Sequence, residues 1–218
     1  MDFTHQVIDI VLNLDTYLGY IINLFGLWTY AILFAVIFAE TGIIVVAFFP
    51  GDSLLFVIGA LSAGGHLNLL FSVVLLSIAA ILGDTVNYYI GKYIGPKIFS
   101  KEDSKLFNKK HLIEAHKFYE KYGGKTIILA RFIPVIRVFA PFIAGIGTMP
   151  YKKFLLYNMI GGVLWVLSAT LMGYFFGNIP IVKDNFSLVV LGIVLISAVP
   201  IIINELIRNY KKGKNKNK

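Results

Sequence analysis

Residues Ile127–Met149 read IILARFIPVIRVFAPFIAGIGTM, a run apolar enough to enter a bilayer that nevertheless holds Arg131, Arg137, Pro134 and Pro141. A plain membrane anchor has no use for any of these four. Arginine at the centre of a membrane helix costs about 2.5–3.5 kcal/mol on insertion scales, so by default it marks a functional site. Each proline deletes a backbone donor, which membrane depth tolerates only beside protein or a water-filled cavity. The question posed by the chain is what the two arginines face.

The surrounding composition sets the class. With 57% hydrophobic residues in 218, the chain reads as an all-α integral membrane protein built as one bundle. Its net charge of +8 concentrates in Lys92–Lys125 and in the tail after Arg208, a pattern of membrane topology that argues against a nucleic-acid partner. The absence of cysteine excludes disulfide and thiol chemistry. His5, His66, His111 and His116 lie outside the apolar segments without metal-ligand spacing, and Gly123-Gly124-Lys125 lacks the full phosphate-loop pattern, so neither a metal nor a cofactor is expected. Residues 1–19 carry no basic region ahead of an apolar core, so a cleavable signal is not expected.

Taken in order, residues 1–19 repeat apolar positions at three-to-four spacing and predict an amphipathic helix. Residues 20–207 form the membrane domain, with spans expected at about 20–38, 69–90, 154–176 and 186–206. Glu40 ends the first span, and Pro50-Gly51-Asp52-Ser53 interrupts the apolar run 41–65, with Asp52 or Ser53 capping a helix from Leu54. Residues 92–125 form a basic loop and 208–218 a basic, disordered tail. If both are cytoplasmic, an even number of crossings must separate them, yet three apolar segments lie between. The proline-broken segment 127–149 is the one to excuse, so it should dip in and return. Residues 41–65 read the same way. The expectation is four transmembrane helices plus two opposed re-entrant hairpins broken at Pro50, Gly51, Pro134 and Pro141, in an inverted-repeat arrangement with both termini cytoplasmic.

Six residues apart, Arg131 and Arg137 would point about 240° apart on one continuous helix. A break at Pro134 lets both guanidiniums turn to one side, where their fork geometry suits a phosphate. Half-helix N-termini near Ser53 and Phe142 would favour the same anion. Snorkelling to the interface explains one such arginine better than two that flank a proline. Glu40 and Asp52 read as counter-ions or proton carriers. Asp84 and Asn87, one turn apart, are secondary candidates whose plainer role is a hydrogen bond to a neighbouring helix. Trp165, in mid-span, reads as packing.

Four strings then carry a resemblance: ETG with FPGDSLLF (Glu40–Phe56), GDTVNYYIG (Gly83–Gly91), HKFYEKYGGKTIILARFIPVIR (His116–Arg137) and FAPFIAGIGTM (Phe139–Met149). From about Tyr30 to Asn185 the chain resembles the bacterial DedA family of VTT-type membrane proteins. The resemblance implies polytopic plasma-membrane proteins with two opposed re-entrant helices. It also implies transport of lipid carriers, notably recycling of undecaprenyl phosphate, with relatives that flip or scramble phospholipids. The family's two acids fall on Glu40 and Asp52, its arginines on Arg131 and Arg137, and its glycine–methionine pattern on Gly145 and Met149. The expected partners are a lipid phosphate, membrane lipids and protons. Two transport alternatives stand beside this reading: a flippase or scramblase for a phospholipid such as phosphatidylethanolamine, and a proton-coupled carrier of small solutes. An enzyme, such as a polyprenyl-pyrophosphatase, would want a nucleophile near the arginines, and residues 117–218 hold no histidine.

Overall fold

In the computed structural model the described residues are 20–22, 24–43, 51–99, 123–147, 149–177, 179–180 and 182, and no strand occurs among them. The apolar run from Tyr20 is helical but turns at Gly26, whose φ of +50° suits a residue without a Cβ. Helix α1 then runs Leu27–Gly42, so the expected span 20–38 starts afresh after Gly26, and Glu40 lies inside its last turn instead of beyond it. Helix α2 runs Gly51–Ala63, which puts Asp52 in its first turn, where a carboxylate complements the helix dipole, and not at a cap before Leu54. Helix α3 is the long one, Leu69–Phe99, reaching past Lys92 into what the sequence suggests is loop.

Helix α4 covers only Lys125–Ala130. Its last turn tightens through i→i+3 bonds from Arg131, Phe132 and Ile133 to Ile128, Leu129 and Ala130. Ile133 is then extended (φ −114°, ψ 109°), as the residue before a proline should be, and Pro134 opens helix α5, Pro134–Ile146. Pro141 does not break the chain: it lies inside α5, which corrects the expected break there and the half-helix beginning near Phe142. Helix α6 runs Tyr151–Gly177, its first turn closed on the carbonyl of Pro150.

Two helices are long and apolar enough to cross a membrane, over Leu69–Ile94 and Tyr151–Gly177. At 26 and 27 residues each extends about 40 Å, more than the roughly 30 Å hydrocarbon core. Helices α1, α2 and α5, with 16, 13 and 13 residues, reach only about 20–24 Å and cannot cross alone. The expected helix 1–19, the break at Pro50, the span 186–206, the tail 208–218 and most of the loop 92–125 lie outside the described residues.

The distribution of polarity is the reverse of a water-soluble fold. Along α3, Leu70, Val74, Ile78, Leu82 and Val86 are exposed while Ser77, Asp84 and Asn87 are buried. On α6, Leu156, Met159, Ile160, Val163 and Leu164 are exposed while Asn158 and Thr170 are buried. Contiguous exposed apolar surface on this scale needs an apolar surrounding. Lipid supplies it.

The described elements fall into two compact units. One holds α1, α3 from Leu70, α4, α5 and the first part of α6, to Ser168. Its packing is backbone on backbone where glycine allows it. A Cβ on Gly83 of α3 would strike the Thr41 hydroxyl at 1.9 Å and the Phe38 carbonyl at 2.7 Å on α1. One on Gly91 would strike the Phe142 carbonyl, and one on Gly145 the Tyr88 carbonyl, each at 2.1 Å, which joins α3 to α5. Tyr88 stacks on Phe154 of α6 with ring centroids 4.5 Å apart and donates its hydroxyl to the Met149 carbonyl. Ile127, Ala130, Ala140 and Ala144 complete that core. The other unit holds α2 and the end of α6 from Ala169. There Gly59 lies on the Thr170 carbonyl and Gly173 on the Phe56 carbonyl, where a Cβ would come within 2.0 Å of either oxygen.

Candidate functional site

Inside the first unit both arginines are buried, Arg131 3% exposed and Arg137 5%. Neither snorkels. The break at residues 131–133 frees Arg137 from the register of Arg131, so the 240° separation of a continuous helix does not apply. Both side chains come to one tryptophan: the Arg137 Cζ lies 4.8 Å from the Trp165 ring centroid and the Arg131 Cζ 5.9 Å. A guanidinium on a desolvated indole face gains on the order of 2 kcal/mol. Trp165 is therefore more than the packing residue the sequence suggests.

Each guanidinium also has a carboxylate. Arg137 donates to Glu40 Oε1 at the end of α1, and Glu40 is completely buried. Arg131 donates to Asp84 Oδ2 on α3, to Asn158 Oδ1 on α6 at 2.5 Å and to the Ala80 carbonyl at 3.4 Å. Asp84, secondary in the sequence, is thus the direct counter-ion of Arg131. Two positive and two negative groups meet in a buried place, and they sum to zero.

The surroundings hold this quartet in register. Asn87 donates from one amide nitrogen to the Thr41 carbonyl (3.3 Å) and the Val138 carbonyl (2.7 Å), the residues that follow Glu40 and Arg137. That nitrogen fixes the end of α1 against the first half of α5 and so aligns the second ion pair. Asn158 accepts from Arg131 and donates to the Ile81 carbonyl at 3.0 Å. Between Asn158 and Trp165, two turns apart on one face of α6, lie Gly161 and Gly162. A Cβ on Gly161 would stand 3.1 Å from Arg131 Cδ and one on Gly162 3.5 Å from its Cζ, so the pair of glycines leaves the lane in which the arginine lies. Arg131 Nε and Asn87 Oδ1 are buried without a hydrogen-bond partner among the described residues.

Of the residues singled out in the sequence, the first unit brings together Arg131, Arg137, Glu40, Asp84 and Asn87. Asp52 belongs to the second unit, on α2, and Pro50 lies outside the described residues. Gly145 and Met149 are where α3 meets the chain around α5: the first admits the Tyr88 carbonyl, the second accepts its hydroxyl. Asn158 was not legible, because a neutral amide in an apolar run gives no signal beyond its polarity. Among the described residues no group of three histidines, cysteines or acids is placed to hold a metal ion.

The VTT domain model matches residues 49–175. The chain is 52% identical to Protein DedA of Escherichia coli over 96% of both chains. It is 44% identical to an uncharacterized membrane protein of Mycobacterium tuberculosis, over 83% of this chain and 79% of that one. To the inner membrane protein YqjA of Escherichia coli it is 34% identical, over 70% and 69%. No solved structure matches it significantly. With charges buried and apolar side chains exposed on its described helices and a relative similar over nearly its whole length, this chain belongs to the DedA family of VTT-domain membrane proteins.

Proposed function

We propose that this protein is a transporter, not an enzyme, that carries undecaprenyl phosphate or a closely similar polyprenyl phosphate between the leaflets of the bacterial plasma membrane. The observation that carries the reading is two guanidiniums buried against one indole, each neutralised by a carboxylate, inside a unit whose outer surface is apolar. A phosphate head group cannot cross hydrocarbon unaided, whereas an isoprenoid tail never has to leave it. In this reading the helix pair α4–α5 dips into the bilayer and returns to the cytoplasmic side, α2 enters from the opposite face, and both termini are cytoplasmic.

Charge arithmetic supports coupling to protons. The resting quartet is neutral, and a phosphomonoester brings about −1.5 to −2 charge at pH 7. Uncompensated charge at such a place costs several kcal/mol. Phosphate therefore replaces Glu40 on Arg137 as Glu40 takes up a proton, and the head group itself binds as its singly protonated monoanion, so the site stays neutral; deprotonation of Glu40 restores the ion pair and expels the head group. Arg131 contributes Nε, a buried donor without an acceptor among the described residues, while its Nη2 remains on Asp84 and Asn158. Asp52, on which the second of the family's two acids falls, is proposed as a second proton carrier or counter-ion.

The test is flipping of undecaprenyl phosphate by purified protein in liposomes, with phosphatidylethanolamine in parallel. Arg137→Ala and Arg131→Ala should each abolish undecaprenyl-phosphate flipping. Intact flipping in either variant rejects the assignment, and faster movement of phosphatidylethanolamine by the native chain makes it a phospholipid scramblase instead.

A further inference from the structure

We infer that Trp165 is a positioning residue for the phosphate site: its indole ring is the common seat that keeps the two guanidiniums together while the carboxylate of Glu40 comes and goes. The inference rests on the lipid-phosphate reading above and adds a component that neither charge nor hydrogen bonding supplies. Arg131 and Arg137 carry like charge and approach the same ring, at 5.9 and 4.8 Å. With Glu40 and Asp84 ionised, each cation has an opposite charge beside it and the mutual repulsion is offset. Once Glu40 is protonated that offset falls, and before phosphate is seated the pair would spread. An indole has no ionisable group in the working pH range and cannot be displaced by an anion, so its quadrupole attracts both cations at every stage.

The local sequence builds this seat. Trp165 is 2% exposed and stands on the same face of α6 as Asn158, which accepts from the same guanidinium of Arg131. Gly161 and Gly162 between them leave room for the arginine stem to lie along the helix. A Cβ at position 162 would press on Ile81 Cγ1 at 3.0 Å and touch the guanidinium carbon at 3.5 Å. The run Asn158–Trp165 is thus a grip, a lane and a seat for one cation, and the seat extends to the second.

The chain has two tryptophans, and Trp28 is exposed on α1. In a Trp28→Phe background, Trp165 can be replaced biosynthetically by mono-, di-, tri- and tetrafluorotryptophan, which drain the ring's negative face with little change of shape. Affinity for undecaprenyl phosphate in nanodiscs should fall stepwise along the series, by roughly tenfold at tetrafluorotryptophan. Melting temperature should fall too, because the resting ion pairs lie on the same ring, but by less than in Asp84→Asn. Trp165→Phe, which keeps a weaker face, should fall within the range of the series. A flat affinity profile, with Arg137→Ala abolishing binding, would overturn the role of Trp165 and leave the phosphate site standing. Undiminished binding in Arg131→Ala and Arg137→Ala would overturn both.

Discussion

At the scale of single residues, the buried charges are tied in pairs, and the cost of breaking one is larger than the worth of having it. Removing one partner of a buried ion pair leaves a charge that hydrocarbon and protein cannot solvate, at about 3–5 kcal/mol. Asp84→Asn keeps the shape and removes the charge beside Arg131, so it should lower thermal stability in detergent by that order. Arg131→Met added to it should recover much of the loss, because an apolar side chain of similar length lies in the same glycine lane. Flipping should not return in the double variant. Equal stability of the single and double variants would mean that the pair is not coupled. Asn158 shares the load by holding Arg131 and the Ile81 carbonyl at once.

At the scale of elements, the break between α4 and α5 decides where the guanidiniums go. It has a local cause: a proline forces Ile133 into extended backbone, and the helix restarts at Pro134 with a new phase. Pro141 lies within α5 and makes no comparable break. Pro134→Ala therefore lets α4 run on, rotates one arginine away from Trp165 and should abolish flipping in a protein that still reaches the membrane. Pro141→Ala, which restores a backbone donor inside an existing helix, should keep activity within about twofold. A reversed order of effects in the liposome assay would show that the phase change is not what aligns the site.

This element also shows what the sequence could and could not tell. Two arginines and a proline in an apolar run are enough to mark where the buried ion pairs lie, because all three are costly there and need a reason. Their partners were harder. Asp84 is 47 positions from Arg131, and a lone carboxylate in a span is as consistent with a helix-to-helix hydrogen bond as with an ion pair. Trp165 reads as packing because an aromatic ring at mid-span usually is. The turn at Gly26 has no signature beyond one glycine in an apolar run, and Pro141 carries the same letter as Pro134 without the same effect. Long-range pairing and helix phase come from the packed whole, not from local pattern.

At the scale of the whole molecule, the described helices expose apolar side chains and bury polar ones, and the buried quartet of the first unit sums to zero charge. A neutral interior that accepts an anion must gather positive charge from elsewhere. Binding of undecaprenyl phosphate to the protein in weakly buffered nanodiscs should take up about one to two protons per lipid at pH 7. Glu40→Gln should reduce that uptake, hold the lipid more tightly because the competitor for Arg137 is gone, and slow turnover roughly tenfold or more. Binding without any proton uptake would sever transport from the proton gradient.

The order of these charges along the chain carries a consequence for manufacture. Glu40 and Asp84 precede Arg131 and Arg137, so the ribosome delivers both acids first. A carboxyl can enter hydrocarbon as an uncharged acid, whereas a guanidinium is always charged. Each arginine thus emerges when its counter-ion is already made, and the amide and indole of α6 follow to close over both.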